Sequence, residues 1–245
     1  MSGRKHFPAV MVMGLAALSG VGLGQTTWTA PDGNTAWSDG GNWSAGVPEA
    51  GGIAVFDNSG TGLLVDLEDG RQVLYQILFD NSGGYVLSGG VLDLGVSGGR
   101  ITHRAEGVDT IAARIEAADL GISVTDGSLR LSGDNVGISS GTAAVTNAAL
   151  SAEGSSALGG ASVLLTSGVL ELPVAYDNVA TAVRVSGHSQ IHAPSGANLG
   201  GLTMSAGASL AAPSAGAIAF ASTRLEGSVT LDTVGSVYAG PASND

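Results

Sequence analysis

A glycine recurs near every twentieth residue across most of this chain, and so regular a spacing leaves few folds open. Gly70, Gly90, Gly107, Gly127, Asn147, Gly168, Gly187, Gly207 and Gly227 fall at steps of 20, 17, 20, 20, 21, 19, 20 and 20 residues. Asparagine, which replaces glycine once, is the side-chain-bearing residue that enters the left-handed region most readily, so a turn is expected at this position of each unit. Four residues further on stand Leu94, Ile111, Leu131, Leu172, Ile191 and Leu231, and two further on Leu92, Leu129, Leu170 and Val229. Asp93, Arg130, Glu171, Gln190 and Thr230 lie between them. That is the period of two of a strand with one buried and one wet face. Leu87, Val124, Val145, Leu165, Val185, Met204 and Leu225 mark a second strand shortly before each new unit, and Pro173, Pro194 and Pro213 mark a shared corner.

A unit of this length cannot bury its own apolar face, whereas stacking one unit on the next can. The expected fold is therefore all-β: a parallel β-helix, or β-solenoid, with about 20 residues per rung. The composition suits such a coil. There are 40 glycines, and only 4% of residues are aromatic. A β-sandwich also has short strands and frequent turns, but it does not require one register held through so many units. The stretch TIAARIEAAD, Thr110 to Asp119, fits least well and is compatible with either a short inserted helix or an atypical rung.

The segment from Gly127 to Leu172, GSLRLSGDNVGISSGTAAVTNAALSAEGSSALGGASVLLTSGVLEL, resembles the autotransporter-associated β-strand repeats of exported bacterial proteins. It carries the L-x-L-S-G opening, the S-S-G-T turn, an S-S-A-L-G centre and the G-x-L-x-L close. The Trp-rich region from Trp28 to Leu94, with N-W-S, a V-P turn, F-D and GGYVLSGGVLDL, resembles the start of such passengers. The resemblance implies a right-handed coil, secreted or displayed at the outer surface of the cell, and no shared catalytic residue. A complete autotransporter would add a membrane barrel; this chain ends at Gly-Pro-Ala-Ser-Asn-Asp part-way through a unit, as a fragment would.

The N-terminus reads as an export signal. Arg4, Lys5 and His6 precede the apolar run AVMVMGLAAL, and small residues lead to Gly24, the expected cleavage site. The run is shorter than a bilayer span, so no membrane-spanning segment is expected after cleavage. The organisation is then a signal peptide over 1–24, a Trp-containing N-terminal cap and first rung over 25–69, and β-helix repeats over 70–245. The mature chain has seven arginines and no lysine against 21 acidic residues, a net charge of −14. Nucleic acid is excluded as a partner, because its binding needs a basic footprint. Without cysteine there is neither a disulfide framework nor a Cys-ligated zinc site.

A catalytic role would rest on the acidic residues. An inverting glycosidase needs two carboxylates about 6.5–9.5 Å apart. Asp93 and Glu171 share a position but lie four units apart; Asp93 and Asp109 come nearest to a pair, with positions differing by one. The densest ionic stretch is Asp93, Arg100, His103, Arg104, Glu106, Asp109, Arg114, Glu116 and Asp119. It reads as a solvated face of ion pairs, the sharper alternative being a ligand patch. His188 and His192 flank a strand, about 13 Å apart, too far for one metal. Trp28, Trp37 and Trp43 read as a cap closing the coil, or as a platform on which a sugar stacks. No phosphate-binding or cofactor motif is present. The expected role is a structural or adhesive passenger, not an enzyme, meeting a surface glycan or protein. The alternative is a carbohydrate-active β-helix that binds or cleaves polysaccharide.

Overall fold

Alternating segments become strands here because each one meets its own counterpart a turn later, which satisfies backbone groups and covers the apolar face together. The computed structural model describes residues 24–95, 98–135 and 137–240. The expected export signal, except for Gly24, and the closing residues 241–245 lie outside them. About half of the described residues lie in strands, wound into a β-solenoid of about 9 turns with roughly 21 residues per turn. The only helix among the described residues is a single 3-10 turn, Gly40–Asn42.

Strand pairing is parallel throughout. What we term the leucine wall stacks nine strands: Leu64–Asp66, Val86–Ser88, Val108–Ile111, Ser128–Leu131, Ala149–Ala152, Val169–Glu171, His188–His192, Ser209–Ala212 and Thr230–Thr233. The long wall stacks Gly52–Asp57, Arg71–Asp80, Gly99–His103, Leu120–Val124, Gly141–Thr146, Ser162–Thr166, Val183–Ser186, Ala197–Met204 and Ile218–Leu225. Gln25–Thr27 pairs with the first of these and Val237–Ala239 with the last. On a short third wall, the start of Arg71–Asp80 pairs with Val91–Asp93, then Arg114–Ala117, then Gly137–Ile138.

Pairing in register aligns like positions into columns that run along the coil. On the leucine wall Leu129, Leu150, Leu170 and Ile191 are successive partners, all buried. On the long wall Phe56, Phe79, His103, Val124, Val145, Leu165, Val185 and Met204 form an inward column. Each aliphatic member buried this way stabilises the fold by about 1.5–3 kcal/mol. Arg130, Gln190 and Thr230 are exposed and Asp93 and Glu171 half-buried, as the alternation predicts. Leu231 departs from it: expected in the inward row, it is 45% exposed, and all four residues of Thr230–Thr233 face solvent.

The structure corrects the register at one place. The 17-residue interval from Gly90 to Gly107 is not a short rung, because the segments it relates belong to different walls. Val91–Asp93 stands on the third wall and pairs with Arg114–Ala117, whereas Val108–Ile111 stands on the leucine wall and pairs with Val86–Ser88. Partners Val86 and Thr110 are thus separated by a longer turn than the average. The segment from Thr110 to Asp119 contains no helix; it is the end of one strand and the whole of another. Asn147 takes φ 53° and Gly127 φ 52°, matching the expected turn, while at Gly168 the left-handed residue is the preceding Ser167, at φ 54°. Pro173, Pro194 and Pro213 each follow the end of a leucine-wall strand.

Candidate functional site

The ionic stretch from Asp93 to Asp119 separates into an outer cluster and an inner one. Alternation places Asp93 and Glu116 outside the third wall as cross-strand partners, with Arg71 and Arg114 in the next column. Arg71 bridges both acids, with NH1 at 2.8 Å from Asp93 Oδ2 and NH2 at 2.7 Å from Glu116 Oε2. Arg114 takes the other oxygen of Glu116 at 2.9 Å. The acids beside it raise the pKa of Arg71, Glu116 more strongly than Asp93. This cluster is the solvated ion-pair face that the sequence suggested, as is the exposed pair of Arg104 with Asp80 at 2.6 Å.

His103 and Asp109 do not belong to that face, and here the solvated reading is wrong. Both side chains are fully buried. His103 shares the inward parity of Ile101, and Asp109 that of Ile111, so the same alternation that wets their neighbours turns these two into the core. Asp109 occupies the leucine column, directly beside Leu129. The His103 Nδ1 lies 3.0 Å from the Asp126 carbonyl, which can only accept, so Nδ1 carries the hydrogen. Nε2 lies 3.0 Å from Asp109 Oδ2 without hydrogen-bond geometry.

The carboxylate is otherwise well supplied. The Tyr85 backbone N–H donates to Oδ1, and Asn81 Nδ2 lies 3.2 and 3.1 Å from the two oxygens. Asn81 Oδ1 in turn accepts from the N–H groups of Gly83 and Gly84. The cluster therefore pins the corner at 81–85 to the turns on either side. Sealed from solvent, it meets no substrate; its chemistry is structural. Asp93 and Asp109, the nearest acid pair in the sequence, are not brought together, since one faces out of the third wall and the other into the leucine wall.

The other candidates resolve in the same way. Trp28, Trp37 and Trp43 are 0%, 1% and 4% exposed, so none offers a face to a sugar. They pack edge to face, with centroids 5.0 Å apart for Trp28–Trp43 and 4.7 Å for Trp37–Trp43, against Phe56, which stacks on Phe79. Trp28 Nε1 donates to Gly62 O and Trp43 Nε1 to Trp37 O. His188 pairs through Nδ1 with Ser209 Oγ at 2.6 Å, and His192 meets Gln190. Among the described residues no group of three His, Asp or Glu is placed to hold a metal ion, and no helix is long and apolar enough to cross a membrane. No family model matches the chain, and comparison with curated proteins and with solved structures finds no match.

Two outcomes follow. Asp109→Ala leaves the buried Tyr85 N–H and Asn81 Nδ2 without this acceptor and is expected to cost about 1–3 kcal/mol for each group, while Asp93→Ala on the outer face costs at most about 1 kcal/mol. Urea midpoints of the two variants check this, and equal midpoints would contradict the buried placement. Tyr85, whose hydroxyl donates to Asp57 O at 2.7 Å, has its pKa pushed from 10.0 up to about 12 by burial, with Asp57 and Asp109 adding. The neutral phenol is thus favoured in the folded state; its stabilising contribution is complete below pH 10 and is lost as pH rises towards about 12. Urea midpoints measured across that window should fall more steeply for the native chain than for Tyr85→Phe.

Proposed function

We propose that this chain is an exported structural passenger or stalk of the autotransporter-associated repeat type, held at a bacterial cell surface and performing no catalytic step. The observation that supports this reading best is the parallel stacking that runs from Leu64–Asp66 to Thr230–Thr233 along a single wall. Each turn contacts the turns beside it, so the whole is a rod whose interior is made of repeated columns. A rod of this construction gives length and resistance to unfolding without a disulfide, which suits a chain working outside the cell.

The N-terminal succession of Arg4 and Lys5, an apolar run and small residues up to Gly24 supports export. The strongly acidic balance disfavours association of rods with one another. The resemblance of Gly127 to Leu172 supports the repeat type, and the strands within that segment, Ser128–Leu131, Ala149–Ala152 and Val169–Glu171, stack as consecutive rungs.

The test is to express the full chain with a C-terminal epitope in a Gram-negative host and treat intact cells with protease. The expected result is a mature N-terminus at Gln25 and an epitope removed from outside, or recovered from the medium. An uncleaved chain retained in the cytoplasm would overturn the proposal. Purified protein incubated with neutral and acidic polysaccharides should release no new reducing ends; release would contradict the non-catalytic part.

A further inference from the structure

Charge on this rod is unevenly distributed, and the exceptions gather on one face. Five of its arginines have a carboxylate within 4 Å: Arg71, Arg104, Arg114, Arg130 and Arg224. Arg100 and Arg184 have no side-chain partner among the described residues, and both are exposed on the outer face of the long wall. The strands between them, and on through Ala197–Met204, carry no Asp or Glu, although the chain as a whole has 21.

The surface between the two arginines is a trough. One depression of about 310 Å³ runs from Arg100 past Gly121 to Thr142, and a second of about 250 Å³ runs from Thr142 past Ser162 to Arg184. They meet at Thr142, which lines both. Gly121 opens its floor, since it is the direct partner of Arg100 on one side and of Thr142 on the other. The backbone does not require glycine there: a Cβ would meet only ordinary contacts, Gly99 O at 3.7 Å and Arg100 Cγ at 3.9 Å. The two arginines stand four strand steps apart, about 19 Å along the rod at the spacing of paired strands, and two residues apart across the wall, since Arg184 pairs with Leu164 and not with Ser162.

We infer that this trough binds an extended acidic polysaccharide lying along the rod, with sugar carboxylates on Arg100 and Arg184 and sugar hydroxyls on Thr142 and Ser162 between them. A guanidinium offers a fixed fork that matches a carboxylate, and hydroxyl side chains both donate and accept, as sugars do. An extended peptide is a poorer match, because the strands under the trough are already paired on both sides and offer no free edge. The overall acidity repels anions at long range, but salt screens that field beyond about 8 Å at physiological ionic strength, so the acid-free strip governs close contact. Asp119, exposed and directly before the strand that carries Gly121, also lines the first depression, so the acid-free stretch is that of the strands themselves. The inference adds a ligand site to the scaffold role and stands whether or not the export reading holds.

The test is titration of the purified full-length protein with polygalacturonate, with dextran as the neutral polymer and single-stranded DNA as a second polyanion. Polygalacturonate should bind, and weaken as salt is raised. Dextran and DNA should bind about tenfold or more weakly, and Arg100→Gln and Arg184→Gln should each weaken polygalacturonate about 3- to 10-fold. Gly121→Val fills the floor without straining the backbone and should reduce binding at an unchanged unfolding midpoint. No binding by the native protein, equal binding of DNA, or variants indistinguishable from the native protein would overturn the inference.

Discussion

Parallel pairing between successive turns is the interaction on which every other feature of this molecule rests. A strand of three to five residues has few backbone hydrogen bonds to make within its own turn, and its partners lie one turn ahead and one turn behind. That pairing fixes register, and register decides which side chains enter the interior together. Leu129, Leu150, Leu170 and Ile191 meet because their backbones are paired. The same ladder that buries them forces Asp109 into their column and places Gly121 between Arg100 and Thr142.

Polar side chains inside the coil extend this ladder where regular pairing stops. Asn135, fully buried, accepts from the Ile115 N–H and donates to the Ala157 carbonyl, both at 2.8 Å, and so joins three turns at a corner. Asn81 does comparable work through Asp109 and the N–H groups that follow it. These amides and the His103–Asp109 pair satisfy corner groups that would otherwise be buried without partners, an omission costing about 1–3 kcal/mol for each group.

Much of this was legible from spacing alone. The buried columns of the leucine wall follow from L-x-L repetition, and the positive φ of Asn147 from its substitution for glycine. The wall assignment of Val91–Asp93 was not legible, because alternation is the same on every wall and only a long-range partner tells them apart. His103 and Asp109 were hidden by their neighbours: a run rich in charges looks solvated when read as composition. The signal was present in parity, since Asp109 is two residues before Ile111 and His103 two after Ile101. The trough was beyond sequence reasoning altogether, as it depends on which arginines lack acids across the walls.

The in-register parallel stack is the central claim, and cross-linking tests it most directly because the native chain has no cysteine. Thr166 and Ser186 are paired on adjacent turns of the long wall with their hydroxyl oxygens 3.0 Å apart. Paired strands lie about 4.8 Å apart, within the Cα separation a disulfide accepts. Under mild oxidation the double substitution Thr166→Cys with Ser186→Cys should cross-link rapidly, and Thr166→Cys with Arg184→Cys, shifted by one residue pair, should not. Equal cross-linking of the two, or bridging of the shifted pair alone, would contradict the register and the account built on it.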